Sequence, residues 1–380
     1  MEDQESANGK VGSHLQYFLL SRADQALPKP ESSSLCKPFS TDGAMVASAC
    51  AGGRILISKA VDGTFLYELL HGAGAVKSVA WIRRTPTERQ LIAAYAKGDV
   101  VTWSMAQTLS PQKQILKDFN REISMLVYDI ASQNLLISLG NALALHPVQT
   151  HLMSTQDLFY ECSSTVRGIG FLSAGTMCAA SVCSKRTILL LNVIGGLLSL
   201  QTSIYVEYKP HSIAASSDSS TFAVAGLDGS VHIYNWYSHA PIQERAVVEY
   251  TRAFIRPRPI TMTFVHGSQF LFMGGEVEEA VMVDLMNPTK RSVFKHEKGC
   301  YVAAVAAWSN SEVVRLLTGS SHGRNYVMQW QCGVSDLLPT DCSVFGTTAD
   351  HVAFSRKLLC KHRRDRSTAR PMRGAILFAL

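Results

Sequence analysis

The chain has 380 residues and a net charge of +6; 47% of its residues are hydrophobic and only 17% are charged. A chain this apolar can bury a large core, which excludes a mainly disordered protein. Its most apolar stretch, Ile188 to Leu200, has thirteen residues and contains a glycine pair, so it is too short to cross a bilayer as a helix. The sequence therefore predicts no transmembrane segment.

Short apolar runs separated by tight turns follow one another along most of the chain. The first run, His14–Leu20, is followed by a linker rich in proline and serine, Arg22–Ser34. Beyond the linker come seven groups, each predicted to contain an inner, a second and a third strand. These strands are Leu35–Gly43, Ala44–Ala51 and Arg54–Lys59; Val76–Ile82, Leu91–Ala96 and Val100–Trp103; Ile123–Asp129, Asn134–Leu139 and Ala142–His146; Val166–Leu172, Thr176–Val182 and Thr187–Asn192; Ser212–Ser216, Thr221–Ala225 and Ser230–Tyr234; Ile260–Val265, Phe270–Met273 and Ala280–Asp284; and Val302–Trp308, Val313–Thr318 and Tyr326–Trp330.

The groups repeat at a regular interval. Their third strands stop about 45 residues apart, at Lys59, Ser104, His146, Asn192, Asn235, Asp284 and Gln331. A period of about 40–45 residues with four short strands is typical of a propeller blade, which cannot bury its faces without neighbours. Seven such units predict an all-β fold, a seven-bladed β-propeller of four-stranded antiparallel blades.

The two ends of the repeat array complement each other. The seventh unit lacks an obvious outer strand, whereas His14–Leu20 has no inner strand before it. We therefore predict that this N-terminal strand completes the last blade and closes the ring, because a closed ring leaves no unpaired seam. The corresponding domains are a disordered N-terminus over residues 1–13, a propeller over 14–332, and a C-terminal extension with a basic tail over 333–380.

The repeats resemble those of WD40-repeat proteins over roughly residues 14–332. That family typically ends each third strand with Trp-Asp and carries Gly-His near the inner strand. His71-Gly72 inverts the second pair, and Asp228-Gly229 matches the family's Asp-Gly turn. Half-matches to the first pair are Trp103-Ser104, Tyr234-Asn235, Val283-Asp284 and Trp330-Gln331. The resemblance implies a scaffold for protein partners whose ring is held by packing between sheets, because most blades lack the family's network of Asp, His, Ser and Trp.

Patterns that mark catalytic or metal sites are missing from the sequence. It contains no Gly-x-Ser-x-Gly elbow, no His-Glu-x-x-His helix and no glycine-rich phosphate loop. The acidic residues Glu276, Glu278 and Glu279 fit a solvated hairpin turn better than a cation site or an acid/base pair. We predict a non-enzymatic protein with no catalytic residues, no metal and no cofactor. A hydrolase with carboxylates converging on the central channel stays open as an alternative.

Basic residues collect in the loops that a propeller presents on one face, namely the turns between second and third strands and the connections from outer to inner strands. Arginine pairs in a bidentate way with carboxylate and phosphate groups. We therefore predict that these loops bind a protein or peptide partner, acidic or phosphorylated, although loops are generally charged at any protein surface. The predicted binding residues are Lys97, Arg121, Lys185, Arg186, Lys209, His211, Arg256, Arg258, His322 and Arg324.

A second basic segment lies at the end of the chain. Residues 356–380 contain eight Lys or Arg and one acid, Asp365. Such a segment can meet an anionic membrane surface, nucleic acid or an import receptor, but its few aromatic residues give no specific signal for nucleic acid. The tail residues selected as candidates are Arg363, Arg364, Arg366, Arg370 and Arg373.

One further resemblance supports an alternative function. The segment Phe254-Ile-Arg-Pro-Arg-Pro259 precedes the sixth inner strand, where phosphoinositide-binding propellers carry Phe-Arg-Arg-Gly; the adjacent arginines and the glycine are absent here. The alternative is a peripheral membrane protein that binds anionic, phosphoinositide-type headgroups through Arg256, Arg258 and the basic tail.

The cysteines and the first residues indicate a compartment. Nine cysteines, an odd number without any Cys-x-x-Cys pair, fit reduced thiols in apolar strands better than a disulfide framework or a zinc site. The chain starts Met-Glu-Asp-Gln-Glu, which is unlike a secretory signal. We expect a cytoplasmic protein, with access to the nucleus through the basic tail.

Overall fold

The structure is a computed structural model that describes residues 18–24, 39–49, 52–83, 89–105, 110–148, 159–218, 220–236, 243–249, 260–274, 278–296, 298–299, 301–321 and 326–334. All of them belong to one compact unit, Met1–Leu337; the second unit, Leu338–Leu380, lies outside the described residues. The predicted N-terminal segment, residues 1–13, also lies outside the described residues. Of the predicted C-terminal extension, 333–380, the structure describes residues 333 and 334.

Seven antiparallel sheets form the seven blades of a propeller, as the sequence predicts. In the described part of the chain six sheets have four strands and the sheet of blade 1 has three. The strands are β1 (Phe18–Asp24); β2 (Met45–Ala49), β3 (Arg54–Lys59) and β4 (Phe65–Leu70) in blade 1; β5 (Val76–Arg83), β6 (Arg89–Tyr95), β7 (Asp99–Met105) and β8 (Gln112–Asp118) in blade 2; β9 (Met125–Tyr128), β10 (Asn134–Leu139), β11 (Ala142–Pro147) and β12 (Phe159–Glu161) in blade 3; β13 (Val166–Leu172), β14 (Met177–Val182), β15 (Thr187–Ile194) and β16 (Leu197–Tyr205) in blade 4; β17 (Pro210–Ala215), β18 (Thr221–Gly226), β19 (Ser230–Asn235) and β20 (Gln243–Glu249) in blade 5; β21 (Met262–Val265), β22 (Phe270–Met273), β23 (Glu279–Asp284) and β24 (Arg291–Lys295) in blade 6; and β25 (Tyr301–Ser309), β26 (Val313–Ser321) and β27 (Tyr326–Gly333) in blade 7.

Helical structure is confined to short turns in the part of the chain that the structure covers. The 3-10 helices Ser173–Gly175 and Cys183–Lys185 both lie in turns of blade 4. No helix among the described residues combines the length and the apolar character needed to span a lipid bilayer.

At the inner position of blade 1, Phe39 pairs with Val46 through a single bridge. Residues 39–43, the described part of the predicted strand Leu35–Gly43, contain no strand. Residues 35–38 lie outside the described residues. The turn after the bridge is closed by Ser40, whose backbone N–H donates to the carbonyl oxygen of Met45 at 2.8 Å.

The second strands of the blades are largely apolar because both of their faces are buried. In β6, Leu91, Ala93 and Tyr95 pack into a cluster shared with blade 1, whereas Ile92 and Ala94 pack into a cluster shared with blade 3. Successive side chains of a strand point to opposite faces of its sheet, so one apolar run supplies both clusters. The alternation explains why these strands are the easiest to recognise in the sequence.

Hydrophobic clusters fill the space between every pair of neighbouring blades and hold the ring. They lie between blades 1 and 2, 2 and 3, 3 and 4, 4 and 5, 5 and 6, and 6 and 7. A further cluster joins blade 7 to blade 1 and consists of Phe39, Val46, Ala60, Ala306 and Leu317. At the same place the Gln329 side chain donates to the carbonyl oxygen of Ala60.

The N-terminal strand closes the ring, which confirms the prediction. Strand β1 is the outer strand of blade 7 and pairs antiparallel with β27, from Phe18 opposite Gln331 to Asp24 opposite Tyr326. The described part of this strand is Phe18–Asp24; residues 14–17 of the predicted strand His14–Leu20 lie outside the described residues.

Directed contacts lock blade 7 onto the first turn of blade 1. Gly43 adopts a positive φ of 68°, and a Cβ atom at this position would lie 2.4 Å from the indole of Trp308. The Trp308 Nε1 donates to the carbonyl oxygen of Thr41 at 3.2 Å, and Arg315 Nη1 donates to that of Gly43 at 2.7 Å. Gly43 is thus required both for its backbone conformation and for the close approach of the indole.

Each blade presents its connections on two faces. We call upper the face that carries the turns between second and third strands and the connections from outer to inner strands. The lower face carries the turns between inner and second strands and the connections from third to outer strands. In an antiparallel sheet these two sets lie at opposite ends of the strands, so the upper face is the one on which the sequence places the candidate binding residues.

Candidate functional site on the upper face

Six of the ten predicted loop residues lie in the described part of the upper face. The six are Lys97, Arg121, Lys185, Arg186, Lys209 and His211. The rest of the predicted set lies outside the described residues, and it comprises Arg256, Arg258, His322 and Arg324 in loops and Arg363, Arg364, Arg366, Arg370 and Arg373 in the tail.

Arg121 is already occupied by contacts within the propeller. Its Nη1 lies 3.2 Å from the Glu161 carboxylate, its Nη2 donates to the Asn141 side-chain oxygen at 3.3 Å, and the guanidinium lies 5.3 Å from the centre of the Phe159 ring. These contacts fasten the connection between blades 2 and 3 to the outer strand of blade 3. A partner would have to compete with Glu161, so Arg121 is the least available of the described cations.

Lys97 is the charged residue of the turn between β6 and β7 in blade 2. Its side chain is exposed, and the nearby carboxylate of Asp99 is paired with His71 Nε2 at 2.7 Å instead. The ring of His71 also packs on Tyr95, with centroids 4.9 Å apart. In blade 2 a histidine–aspartate contact thus joins the connection before β5 to the start of β7. This contact holds the turn that carries Lys97 in place.

Blade 4 and the loop that leaves it form the densest group of available cations. Lys185 and Arg186 lie in the turn between β14 and β15, and Lys209 lies in the connection to blade 5; all three are exposed, and none has a side-chain partner among the described residues. The carbonyl oxygen of Arg186 accepts from the Val206 N–H at 2.9 Å, so the turn and the connection are joined through their backbones. Glu207 is the acidic residue in the same connection.

The connection between blades 4 and 5 is rigid because its central tyrosine is buried. Tyr208 stacks on His232 with ring centroids 3.7 Å apart, and its hydroxyl lies 3.0 Å from that of Tyr234. His232 is in turn bonded through its two ring nitrogens to Ser230 and Glu244. Lys209 therefore extends from a fixed backbone.

The inner strands show a feature that the sequence analysis missed. In four blades the pairing of the inner with the second strand skips one residue near the upper face. The skipped residues are Lys77 in blade 2, Arg167 in blade 4, His211 in blade 5 and Ala303 in blade 7. A bulge of this kind re-aims the side chain of the extra residue, and in three of the four blades that side chain is basic.

The three basic bulge residues have different surroundings. Lys77 is neutralised by Glu122 at 3.1 Å. Arg167 is exposed and has no ion-pair partner among the described residues. His211 is half-buried, and its Nδ1 is buried with no hydrogen-bond partner in the described part of the chain. Burial and the positive charge of Arg167 together lower the pKa of His211 to about 4, so its ring is neutral at pH 7.

The described inner strands contain basic residues and no acidic ones. Among the described inner strands β5, β9, β13, β17, β21 and β25, none contains Asp or Glu, and the described residues hold no group of His, Cys, Asp and Glu able to bind a metal ion. In the acidic turn of blade 6, the Glu278 carboxylate accepts from the Gly299 N–H at 2.7 Å and so stabilises the connection between blades 6 and 7. Glu276 lies outside the described residues. The hydrolase alternative finds no convergent carboxylates on these strands.

A signal for Arg167 is present in the sequence. It is a charged residue inside an otherwise apolar strand, Val166–Leu172, and it precedes a glycine. A single charge in a buried strand has to reach solvent or a partner, so this position is recognisable as a candidate from the sequence alone.

Comparisons with known proteins support the fold. A solved structure that the chain resembles is the β-propeller domain of Cps50 (Swd1) from Myceliophteria thermophila, with a TM-score of 0.63, 10% sequence identity, and coverage of 83% of this chain and 99% of that domain. No protein-family model matches the chain, and no curated protein matches it significantly. At this identity the likeness shows the fold, a WD40-like seven-bladed β-propeller.

Proposed function

We propose that the protein is a non-enzymatic scaffold that binds a protein or peptide partner through the upper face of blades 4 and 5. Propellers of the WD40 type commonly act as interaction scaffolds. The upper-face group is defined as Arg167, Lys185, Arg186 and Lys209, the four described cations of these blades without an ion-pair partner among the described residues. A partner segment that carries acidic or phosphorylated residues fits this group.

The proposal rests on one observation: the cations of the upper-face group have no acidic partner among the described residues, and the loops that carry them are held in place by contacts within the propeller. On the same face, Arg121 is paired with Glu161 and Lys77 with Glu122. The upper-face group is left open, although Tyr208 and the backbone bonds of Arg186 hold its loops in place. Preordered loops lose little conformational entropy on binding, which favours affinity.

We also propose that the protein works in the reducing interior of the cell, in the cytoplasm and through its basic tail in the nucleus. Cys162, Cys178 and Cys332 are buried free thiols, and Cys183 is a half-buried one. Burial raises the pKa of Cys162 to about 11 and that of Cys178 to about 12. Such thiols stay protonated and unreactive, as expected of core residues rather than of a disulfide framework.

The test uses the full chain and two charge-matched variants. The first reverses three cations of the upper-face group, Lys185→Glu, Arg186→Glu and Lys209→Glu. The control reverses three exposed lysines elsewhere on blades 2 and 6, Lys113→Glu, Lys290→Glu and Lys295→Glu.

Cross-linking in cells followed by quantitative mass spectrometry identifies proteins bound to each variant, and purified candidates are then measured by calorimetry. We expect a partner that binds the wild type and the control equally and loses affinity at least tenfold with the upper-face variant. A set of partners unaffected by the upper-face variant contradicts the proposal.

The lipid alternative depends on residues that lie outside the described part of the structure. Flotation with vesicles that contain anionic phosphoinositide, compared with purely zwitterionic vesicles, tests it directly. A variant with Arg256, Arg258 and the five tail arginines changed to Gln removes the charges involved. Flotation that requires anionic lipid and is abolished in this variant would favour the membrane-binding function over the scaffold.

A further inference from the structure

We propose that Arg167 and His211 form an oxyanion subsite at the upper mouth of the central channel, and that it takes a phosphate group carried by a partner protein. The proposal rests on the proposed function and specifies the partner's chemistry. Both residues are the skipped positions of adjacent inner strands, β13 and β17. The bulges therefore present two basic side chains side by side from neighbouring blades.

The backbones of the two bulges are locked against each other. A Cβ atom at Gly168 would lie 2.6 Å from the carbonyl oxygen of His211 and 2.7 Å from the backbone nitrogen of Ile213, so only glycine permits this approach. The Ser181 hydroxyl donates to the His211 carbonyl oxygen at 2.8 Å and bridges the two blades. The spacing between Arg167 and His211 is thus fixed before any ligand binds.

The pair has unused hydrogen-bonding capacity. A buried polar atom without a partner costs stability, and native proteins keep few of them. His211 Nδ1 is such an atom among the described residues, but it is closed to solvent, so a partner's phosphate has to approach the ring at Nε2, which is not buried. The Arg167 guanidinium in the neighbouring bulge offers several donors without an acceptor among the described residues. An oxyanion between the two side chains would accept from the guanidinium and from the imidazole Nε2–H together.

The other bulges serve as internal comparisons. Blade 2 has a lysine at the equivalent position, but Glu122 neutralises it, and blade 7 has Ala303, which carries no charge. Of these four blades, blades 4 and 5 are the two whose basic bulge residues have no carboxylate partner among the described residues. The difference indicates a ligand that supplies the negative charge.

Phosphate fits the surroundings better than a carboxylate. A phosphate monoester brings three acceptor oxygens and a charge of about −1.5 to −2 at pH 7, which matches a guanidinium, a neutral imidazole donor and the nearby Lys185, Arg186 and Lys209. A protein segment fits better than a membrane because the pair lies on inner strands. An extended peptide reaches the mouth of the channel, whereas a flat bilayer first meets the loops around it.

The test measures whether the protein prefers phosphorylated peptides and whether Arg167 creates the preference. Three fluorescent peptide libraries, degenerate except for a central phosphoserine, serine or glutamate, are titrated with the full-length protein by fluorescence anisotropy. We expect the phosphoserine library to bind at least tenfold more tightly than the serine library, with glutamate in between. Excess inorganic phosphate should compete.

Variants assign the preference to the subsite. Arg167→Gln should remove tenfold or more of the phosphate preference, Arg167→Lys should keep part of it, and Lys290→Gln should leave it unchanged. His211→Asn should weaken it as well. In the wild type, the ring resonances of His211 should shift when phosphopeptide is added, a response that a purely structural role would not give. Circular dichroism checks that each variant is folded.

The results separate the subsite from the scaffold function. Absence of a phosphate preference, whether all libraries bind alike or none binds, overturns the subsite, as does equal binding of glutamate and phosphoserine. If the triple upper-face variant loses its partner while Arg167→Gln does not, the scaffold stands and the subsite fails. Flotation with phosphoinositide vesicles that depends on Arg167, without a preference for phosphopeptide, also overturns the assignment to a protein partner.

Discussion

The seam between blades 1 and 2 and the closing seam between blades 7 and 1 perform the same task with different contacts. Among the described residues the first holds a cluster of fifteen buried hydrophobic residues, and the second holds five. The closing seam adds hydrogen bonds from Trp308, Arg315 and Gln329 to backbone oxygens of blade 1. Apolar area dominates one seam, and directed polar contacts complement the other.

Sequence separation accounts for the difference. Blades 1 and 2 are joined by a short connection after β4, whereas Arg315 and Gly43 are 272 residues apart. Bringing distant segments together costs more loop-closure entropy, although the cost rises slowly with length. A hydrogen bond to one backbone oxygen depends strongly on distance and angle, so such bonds add directional contacts to the apolar packing of the closing seam. The closing seam therefore needs contacts that define where the ring is joined.

The largest effect is expected from a cavity in the apolar seam. Leu91 is completely buried between blades 1 and 2, so Leu91→Ala should lower the free energy of unfolding by about 2–5 kcal/mol. The matched control is Leu200→Ala on the exposed outer strand of blade 4, where a change within about 0.5 kcal/mol is expected. Urea denaturation followed by tryptophan fluorescence compares the two. Equal losses would mean that the seam is not a packed core.

The second prediction targets the closing seam through a glycine pair. Gly43→Ala forces a methyl group into the Trp308 indole at a positive φ, and the combined strain should cost about 2–4 kcal/mol. Gly72→Ala is the control, since Gly72 also has a positive φ but nothing within 4 Å of a Cβ atom; it should cost about 1–2 kcal/mol.

The difference between the two variants isolates the close approach of Trp308 from the backbone strain. Thermal unfolding monitored by circular dichroism measures it. Indistinguishable midpoints for Gly43→Ala and Gly72→Ala would show that the indole moves aside at no cost and that the closing seam is loose.

The sequence predicts the apolar strands that pack in the seams between blades. It does not predict the hydrogen bonds that add to the closing seam. Second strands such as Leu91–Ala96 are recognisable because burial of both faces makes them apolar throughout, and the repeat period then fixes the number of blades. The closing role of the N-terminal strand follows from counting strands. Its register against β27, with Phe18 opposite Gln331, does not, because no tight turn links the two strands.

Individual contacts on the upper face depend on register and on distant residues. Arg121 is a predicted binding residue, and in the structure it pairs with Glu161, forty residues further along the chain. No local sequence pattern indicates that contact. Arg167 is proposed as a site residue because its position in β13 is skipped in the pairing with β14. Hydrogen-bond register is set by three-dimensional packing, so it leaves no regular trace in hydrophobic periodicity.

The third prediction removes a directed contact from the closing seam. Arg315 donates to the Gly43 carbonyl oxygen at 2.7 Å, and its guanidinium lies 5.5 Å from the centre of the Trp308 ring. Arg315→Gln should cost about 1–3 kcal/mol, because a charged hydrogen bond is lost and the carbonyl oxygen is left without its donor. Arg54→Gln is the control, since Arg54 forms an exposed ion pair with Glu68; it should cost less than about 1 kcal/mol. Urea midpoints rank the two, and a larger loss for Arg54→Gln would contradict the role of the closing seam.

The smallest effect concerns the lower face of the seam between blades 1 and 2. Burial raises the pKa of Asp42, but hydrogen bonds from Ser40, Arg89 and the Ala44 N–H outweigh it and lower the pKa from 3.8 to about 2. Because the folded-state pKa is depressed, the stabilisation is complete above about pH 4–5 and is lost as the pH falls towards 2. Asp42→Asn should therefore cost less than about 1 kcal/mol at pH 7, since the Asp42 side chain is 32% exposed and solvent screens its ion pair. Its difference from the wild type should shrink at pH 3.

Asp218 provides the control for the contribution of Arg89. Burial raises its pKa too, and bonds from Ser216, Ser220 and Ser268 lower it to about 2, with no arginine among the causes. Asp42 receives the Arg89 Nε at 2.9 Å across the seam. Salt at 0.5 M screens an exposed ion pair more than neutral hydrogen bonds, so it should reduce the effect of Asp42→Asn and leave that of Asp218→Asn nearly unchanged. Equal salt sensitivity in thermal unfolding at pH 7 would show that Arg89 adds nothing to the seam between blades 1 and 2, which would then be held by its apolar cluster alone.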